Sequence, residues 1–148
     1  MTGLISLLLG LTSNQINPRG IPWRLLWTQI HSGAISEKDW LDINEAFMLS
    51  LKEPVEFLDI RSESEFNLDH IPHAVSMPWL RLVRNPDALD TLALDRTYIL
   101  YTFHSESAPC KTVAALMKNN GFEQIFILKD GFAQWLDIGL PVELGVDG

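Results

Sequence analysis

The chain has 148 residues, of which 47% are hydrophobic and 20% are charged, with 19 acidic and 11 basic side chains. Such a chain is long enough for one globular domain with a sizeable core, and its composition excludes a disordered protein. The formal net charge of −8 argues against a nucleic-acid partner, because phosphate binding needs clustered lysine and arginine. The single cysteine, Cys110, excludes an intrachain disulfide and multi-cysteine metal sites, but it leaves a reactive thiol open.

Residues 1–35 are interpreted as an N-terminal extension that precedes a domain at 36–148. Residues 1–18 carry no charged side chain, and the apolar run at 3–11 is shorter than the roughly 20 residues of a membrane span. Residues 23–30 predict a short helix with an arginine between two tryptophans. We expect this extension to fold onto the domain or to make a weak peripheral membrane contact. The expected location is cytoplasmic, or membrane-associated through the N-terminus.

From residue 40 onward the sequence predicts strands that alternate with helices. The predicted strands are 40–43, 55–59, 74–77, 98–103 and 124–128. The predicted helices are 45–52, 62–69, a segment that starts at 110, and 131–138. Asn44 is the predicted cap of the first, and Gly121 is the C-cap that ends the third. Residues 79–94 are predicted to be irregular or helical, with a break at Pro86. Strands separated by helices indicate an α/β fold with a parallel sheet and right-handed crossovers.

Two loops are expected to carry the function. Ligands of parallel sheets bind beyond the carboxyl ends of the strands, which points to residues 59–61 and 104–109. Glycine-rich nucleotide-binding motifs and zinc-protease motifs are absent from the sequence, so neither class of enzyme is indicated.

Three ordered segments resemble those of the rhodanese homology domain. Residues 58–61 and 65–66 (LDIR, EF) resemble the family's LDxRxxxEF, and residues 70–75 (HIPHAV) resemble GHIPGAI, with Asp69 and His73 in place of two glycines. Residues 121–141 resemble GF…VxxLxGGxxxWxxxGxP. The resemblance covers residues 40–143. It implies a three-layer fold in which a five-stranded parallel sheet is flanked by helices on both faces.

The resemblance also identifies a departure from the family's chemistry. Active members carry a cysteine after the fourth strand, in a CxxGxRS loop whose backbone N–H groups surround the thiolate or persulfide. The match places His104 at the cysteine, Ser107 at the glycine, Pro109 at the arginine and Cys110 at the serine. Pro109 has no N–H to donate, and Glu106 adds a negative charge. The segment is interpreted as a degenerate active-site loop, consisting of His104, Ser105, Glu106, Ser107, Ala108, Pro109 and Cys110.

Cys110 is the alternative catalytic residue. It lies at the start of a predicted helix beside Lys111, and both features favour a thiolate. Cys110 also shares one apolar helix face with Val113, Ala114 and Met117, which is typical of an inert core cysteine. A phosphatase-type Cys-x5-Arg loop is excluded, because a leucine stands at the arginine position.

His104 is a second alternative, as a general base for Ser105 or Ser107, although no orienting carboxylate is evident and a plain loop histidine is favoured. His70 and His73 suggest a metal site together with His104. Their turn is expected to enter the third strand from the opposite end of the sheet, however, so neither a metal nor a cofactor is expected.

Asp59 and Arg61 are expected to support the loop after the second strand through hydrogen bonds and an ion pair. Trp79, beside Arg81 and Arg84, is expected to pack in the core or to face a partner.

The sequence therefore favours a rhodanese-like binding or regulatory module with an unidentified protein partner and without standard thiosulfate sulfurtransferase activity. The alternative is an enzyme, a sulfurtransferase or persulfide carrier that uses the displaced Cys110.

Overall fold

The computed structural model describes residues 35–104 and 108–145. The predicted helix and membrane contact within residues 1–34, and the loop residues Ser105, Glu106 and Ser107, lie outside the described residues. Among the helices of the described ranges, none has both the length and the hydropathy needed to cross a membrane.

The described ranges contain one parallel sheet and five α-helices, which alternate along the chain. The strands are β1 (Trp40–Leu41), β2 (Val55–Asp59), β3 (Val75–Ser76), β4 (Thr97–Tyr101) and β5 (Ile125–Leu128). The α-helices are α1 (Ile43–Lys52), α2 (Glu63–Leu68), α3 (Trp79–Arg84), α4 (Ala108–Asn119) and α5 (Gly131–Asp137). Short 3-10 helices occupy Glu37–Asp39 and Pro86–Thr91.

The five strands pair in the order β1–β5–β4–β2–β3, and every pair is parallel. One hydrophobic cluster joins alternate strand residues to α3 and α4, for example Leu100 with Leu82 and Val113. A second cluster joins the other strand faces to α1 and α5, for example Ile99 with Phe132. The sheet is therefore covered on both faces, and the predicted five-stranded α/β fold is confirmed.

The start of α1 differs from the prediction. Asp42, not Asn44, is the N-cap: its Oδ1 accepts the Glu45 N–H at 2.8 Å, and Glu45 Oε2 accepts the Asp42 N–H at 2.9 Å. This reciprocal pair starts the helix at Ile43 and limits β1 to two residues. The capping box predicted for Ser62 and Glu65 is confirmed, since both of its bonds are present.

Strand β4 ends at Tyr101, two residues earlier than predicted. The carbonyls of Thr102 and Phe103 turn away from the sheet and accept the backbone N–H groups of Phe132 and Ala133, at 2.8 and 2.9 Å. The first turn of α5 thus takes the hydrogen bonds that would have extended the strand. The predicted stop of α4 at Gly121 is confirmed by its left-handed φ of +93°.

Candidate functional site

The end of β2 carries a buried ion pair. Asp59 is 0% exposed and Arg61 is 6% exposed, and Arg61 donates to both carboxylate oxygens of Asp59, with Nη2 at 2.6 Å from Oδ2. The Arg61 backbone N–H donates to Asp59 Oδ1 at 3.0 Å, so the carboxylate also closes the turn. The predicted supporting contact between these two residues is therefore present.

Arg61 links this turn to two other parts of the domain. Nη2 donates to the Asp69 carbonyl at 2.6 Å, and the guanidinium lies 4.2 Å from the centre of the Phe132 ring. Burial opposes the charge of Arg61, but the Asp59 carboxylate outweighs it and the pKa of the guanidinium is raised. Burial, together with the Asp59 carboxylate, also raises the pKa of the nearby Tyr101 hydroxyl. Arg61 therefore keeps its charge, and its Nε and Nη2 groups donate to partners within the fold.

The end of β4 is held by a close backbone crossing. Gly131, the first residue of α5, has a φ of +66°. A Cβ at this position would lie 2.8 Å from the Phe103 carbonyl oxygen and 2.9 Å from the His104 carbonyl carbon. Only glycine fits this backbone without displacing the residues after β4. His104 is exposed there, with its ring edge against Phe103 at a centroid distance of 4.7 Å.

Cys110 lies in the first turn of α4 and is 2% exposed. It belongs to the core cluster beneath that helix, together with Val113, Ala114 and Met117, so the predicted shared apolar face is confirmed. The Cys110 thiol makes a long contact with Thr102 Oγ1 at 3.9 Å, and Thr102 Oγ1 donates to the His104 carbonyl at 2.6 Å. The sulfur is thus directed at the base of the loop.

A cleft of about 930 Å³ opens at this edge of the sheet. Its walls come from the start of α2, from α3 and from the end of β4, and they include Arg61, Trp79, His104 and Pro109. Cys110 is not among the described residues that line it. The sequence placed His104 and Pro109 in the functional loop and raised Trp79 as a partner contact, and the fold brings all three to one cleft.

His70 and His73 lie elsewhere, beside the C-terminal segment. The backbone of His70 forms an antiparallel bridge with Glu143, and the Glu143 carboxylate is 3.6 Å from His70 Nε2 and 3.5 Å from His73 Nδ1. The His73 N–H holds the pKa of Glu143 below its usual value. Within residues 35–104 and 108–145, no group of three or more histidine, cysteine or acidic side chains is arranged to hold a metal ion.

Comparison with known proteins identifies the family of this domain. The family model described as the rhodanese-like domain matches residues 45–138. The chain belongs to the rhodanese-like domain family. It is 31% identical to the rhodanese-like domain of the Alr3790 protein of Anabaena, with a TM-score of 0.61 and coverage of 72% of this chain and 79% of that one.

The chain is similar in sequence to two relatives whose names describe different functions. The chain is 24% identical to the thiosulfate sulfurtransferase GlpE of Vibrio cholerae, over 70% of this chain and 92% of that protein. It is 30% identical to the HTH-type transcriptional regulator Rv0324 of Mycobacterium tuberculosis, over 70% of this chain but only 45% of that protein. Rhodanese-like domains similar to this one therefore occur both as whole small proteins and as parts of longer ones.

Two parts of the cleft wall were not predicted from the sequence. The first turn of α2, with Glu63 and Ser64, and the strand-end residue Phe103 all line the cleft. The sequence did indicate that α2 lies near the site, because the turn at residues 59–61 leads directly into the capping box of that helix. Phe103 gave no such signal, since it was the last residue of an apolar run that predicted a longer strand.

Proposed function

We propose that this rhodanese-like chain is a binding or regulatory module that does not transfer sulfur from thiosulfate. The observation that carries the proposal is the location of the sulfur atom. The single cysteine of the chain is buried within α4, and the exposed position after β4 is held by His104.

The chemistry of the two side chains supports this. An imidazole cannot accept a sulfane sulfur as a thiolate does, so His104 does not replace a catalytic cysteine. Cys110 is 2% exposed and lies in an apolar cluster, so its thiol is closed to an anionic donor such as thiosulfate. Pro109, which lines the cleft, has no N–H group with which to stabilise an anion.

The Mycobacterium relative supports the regulatory part of the proposal. By its name that protein is a transcriptional regulator, and this chain matches 45% of its length. A domain of this kind is therefore compatible with a role in regulation. For the present chain we infer a protein partner, and the cleft beside His104 is the surface proposed to receive it.

Thiocyanate formation from thiosulfate and cyanide tests the proposal. The full-length protein is compared with its Cys110→Ser variant, and GlpE of Vibrio cholerae serves as the positive control. We expect the protein and its variant to give the same rate as a protein-free blank. Turnover by the protein that is lost in Cys110→Ser would instead establish a displaced catalytic cysteine, and turnover by both would point to another group.

A mass measurement adds a second, independent readout. The protein is incubated with a sulfane donor under native conditions, and its intact mass is recorded. We expect no added sulfur, because the donor cannot reach Cys110. A gain of one sulfur atom that disappears in Cys110→Ser would identify a persulfide carrier and overturn the proposal.

A further inference from the structure

The cleft at the carboxyl edge of the sheet has a mainly apolar surface on two opposing elements. Trp79 and Leu80 of α3 contribute one part, and Phe103 and Pro109 contribute another. Leu80 is 51% exposed and Phe103 is 40% exposed, although both are large apolar side chains. Apolar side chains exposed in a concave surface are typical of sites that bind a partner.

The charged side chains of the cleft differ in whether they have a partner within the protein. Arg61 is paired with Asp59, and Glu65 is held by Ser62 in the capping box, which keeps the pKa of Glu65 low. The other acidic side chain among the described lining residues, Glu63, lies 3.4 Å from Arg81.

Arg84 differs from these groups. It is exposed at the end of α3 and lines the cleft, yet it makes no ion pair with any residue of the described part of the chain. Among the described residues that line the cleft, Arg84 is therefore the arginine without an acidic partner, and it lies next to an apolar surface.

We propose that this cleft binds an extended peptide segment of a partner protein, one that combines an acidic side chain with large apolar side chains. The acidic group pairs with Arg84, and the apolar side chains cover Leu80 and Phe103. The exposure of both apolar contacts suits a chain lying across the surface better than an enclosed small molecule, which would be largely surrounded by its site. This inference rests on the proposed function, because it assigns the partner of that module.

The net charge of the protein makes a preference for acidic peptides a specific test of the cleft. At −8, the molecule as a whole repels acidic peptides, so non-specific attraction cannot produce a preference for them. A preference for acidic over neutral peptides must then come from a local positive group. Since Arg61 and Arg81 have acidic partners among the described residues, Arg84 is the group proposed to supply it.

An unbiased selection tests the proposal. The immobilised full-length protein is presented with a displayed library of random peptides of about 12 residues, enough to span a cleft of this size. We expect enrichment of peptides that contain Asp or Glu together with Phe, Leu or Trp. No enrichment over uncoated support, or enrichment of basic or purely apolar peptides, would overturn the proposal.

Two charge reversals locate the binding. The most enriched peptide, labelled with fluorescein, is titrated by anisotropy against the protein, Arg84→Glu and Arg96→Glu. Arg96 is the matched control: it is an exposed arginine just before β4, at the opposite edge of the sheet. We expect Arg84→Glu to weaken binding about tenfold or more and Arg96→Glu to leave it within about twofold. Equal losses in the two variants, or none in Arg84→Glu, would place the peptide elsewhere.

The outcomes separate this inference from the proposed function. If no peptide binds and no thiocyanate forms, the peptide site is wrong and the non-catalytic role stands. If thiocyanate forms, the non-catalytic role is wrong, whatever the selection gives. Circular dichroism of both variants confirms that a lost affinity does not reflect an unfolded protein.

Discussion

The ends of β2 and β4 lie side by side at one edge of the sheet, yet they are built in opposite ways. After β2, Asp59 and Arg61 are buried and bonded to each other and to the surrounding backbone. After β4, Phe103 and His104 are exposed. The first region holds the fold in place, and the second presents side chains to solvent. Neighbouring strand ends of one sheet can therefore differ fully in burial and in the partners of their side chains.

The two regions are nevertheless mechanically connected through α5. The Phe132 ring packs against the Arg61 guanidinium, and the Phe132 N–H donates to the Thr102 carbonyl at 2.8 Å. The position of Thr102, the first residue after β4, is thus linked through Phe132 to the buried pair after β2. Substitutions on either side of this connection can measure how far the two regions are independent.

Removal of the Asp59 carboxylate is expected to have the largest effect. Asp59→Ala leaves the Arg61 guanidinium buried without its partner, which costs about 3–5 kcal/mol in the free energy of unfolding. Urea denaturation measures the loss. In the control, Asp59→Leu combined with Arg61→Met removes both charges, and we expect a clearly smaller loss. An equal or larger loss in the double variant would mean that the packing of the two side chains matters more than their charges.

Two glycines with similar backbones make the next comparison. Gly131 and Gly139 have φ values of +66° and +72°, but a Cβ on Gly139 meets nothing within 4 Å, whereas one on Gly131 meets the backbone after β4. We expect Gly139→Ala to cost about 1 kcal/mol from φ alone, and Gly131→Ala to cost about 2–3 kcal/mol. Thermal unfolding measures both losses of stability. Equal losses in the two variants would show that the backbone of Phe103 and His104 moves away from residue 131 at little cost.

The helix starts show what could be predicted from local sequence. Ser62 and Glu65 were recognised as a capping box, and the structure contains both bonds. Asp42 and Glu45 have the same spacing and form the same pair of bonds, whereas Asn44, the predicted cap, lies inside α1. Caps of this kind depend on residues three apart, so the sequence contains the signal for both helices.

The end of β4 shows what local sequence cannot supply. Thr102 and Phe103 are β-prone, and nothing near them indicates that their carbonyls accept hydrogen bonds from residues thirty positions later. The cleft depends in the same way on how α3 packs against α4 through the buried Leu82. The residues that follow β4 can be read directly from the sequence. The opposite wall of the cleft, formed by α3, depends on tertiary packing and cannot.

The thiol of Cys110 gives the third prediction. Because Cys110 is 2% exposed, we expect alkylation by iodoacetamide to be slow in native buffer and rapid in denaturant. Cys110→Ser is expected to cost about 1–2 kcal/mol, since it places a hydroxyl in a cluster of apolar side chains. Alkylation at the same rate in both conditions would show that the loop after β4 opens to the helix beneath it.

The smallest expected effect concerns Glu65, at the start of α2. Hydrogen bonds from the Ser62 hydroxyl and N–H hold the pKa of Glu65 below its usual value, so its ionised form stabilises the folded state. This stabilisation is fully present above the ordinary glutamate pKa of about 4.5, and it is lost as the pH falls through the lower folded pKa. Glu65→Gln keeps the capping geometry without the charge, and near neutral pH we expect it to cost about 0.5 kcal/mol.

Since other carboxylates titrate in the same range, the informative quantity is the difference in unfolding free energy between the protein and Glu65→Gln, measured by urea denaturation at several pH values. We expect this difference to be constant from about pH 7 to pH 5 and to approach zero below the ordinary glutamate range, because protonated Glu65 and glutamine are then both neutral. A difference that persists in acid would mean that the amide itself fits the cap poorly. The support after β2 would then depend on the shape of the Glu65 side chain more than on its charge.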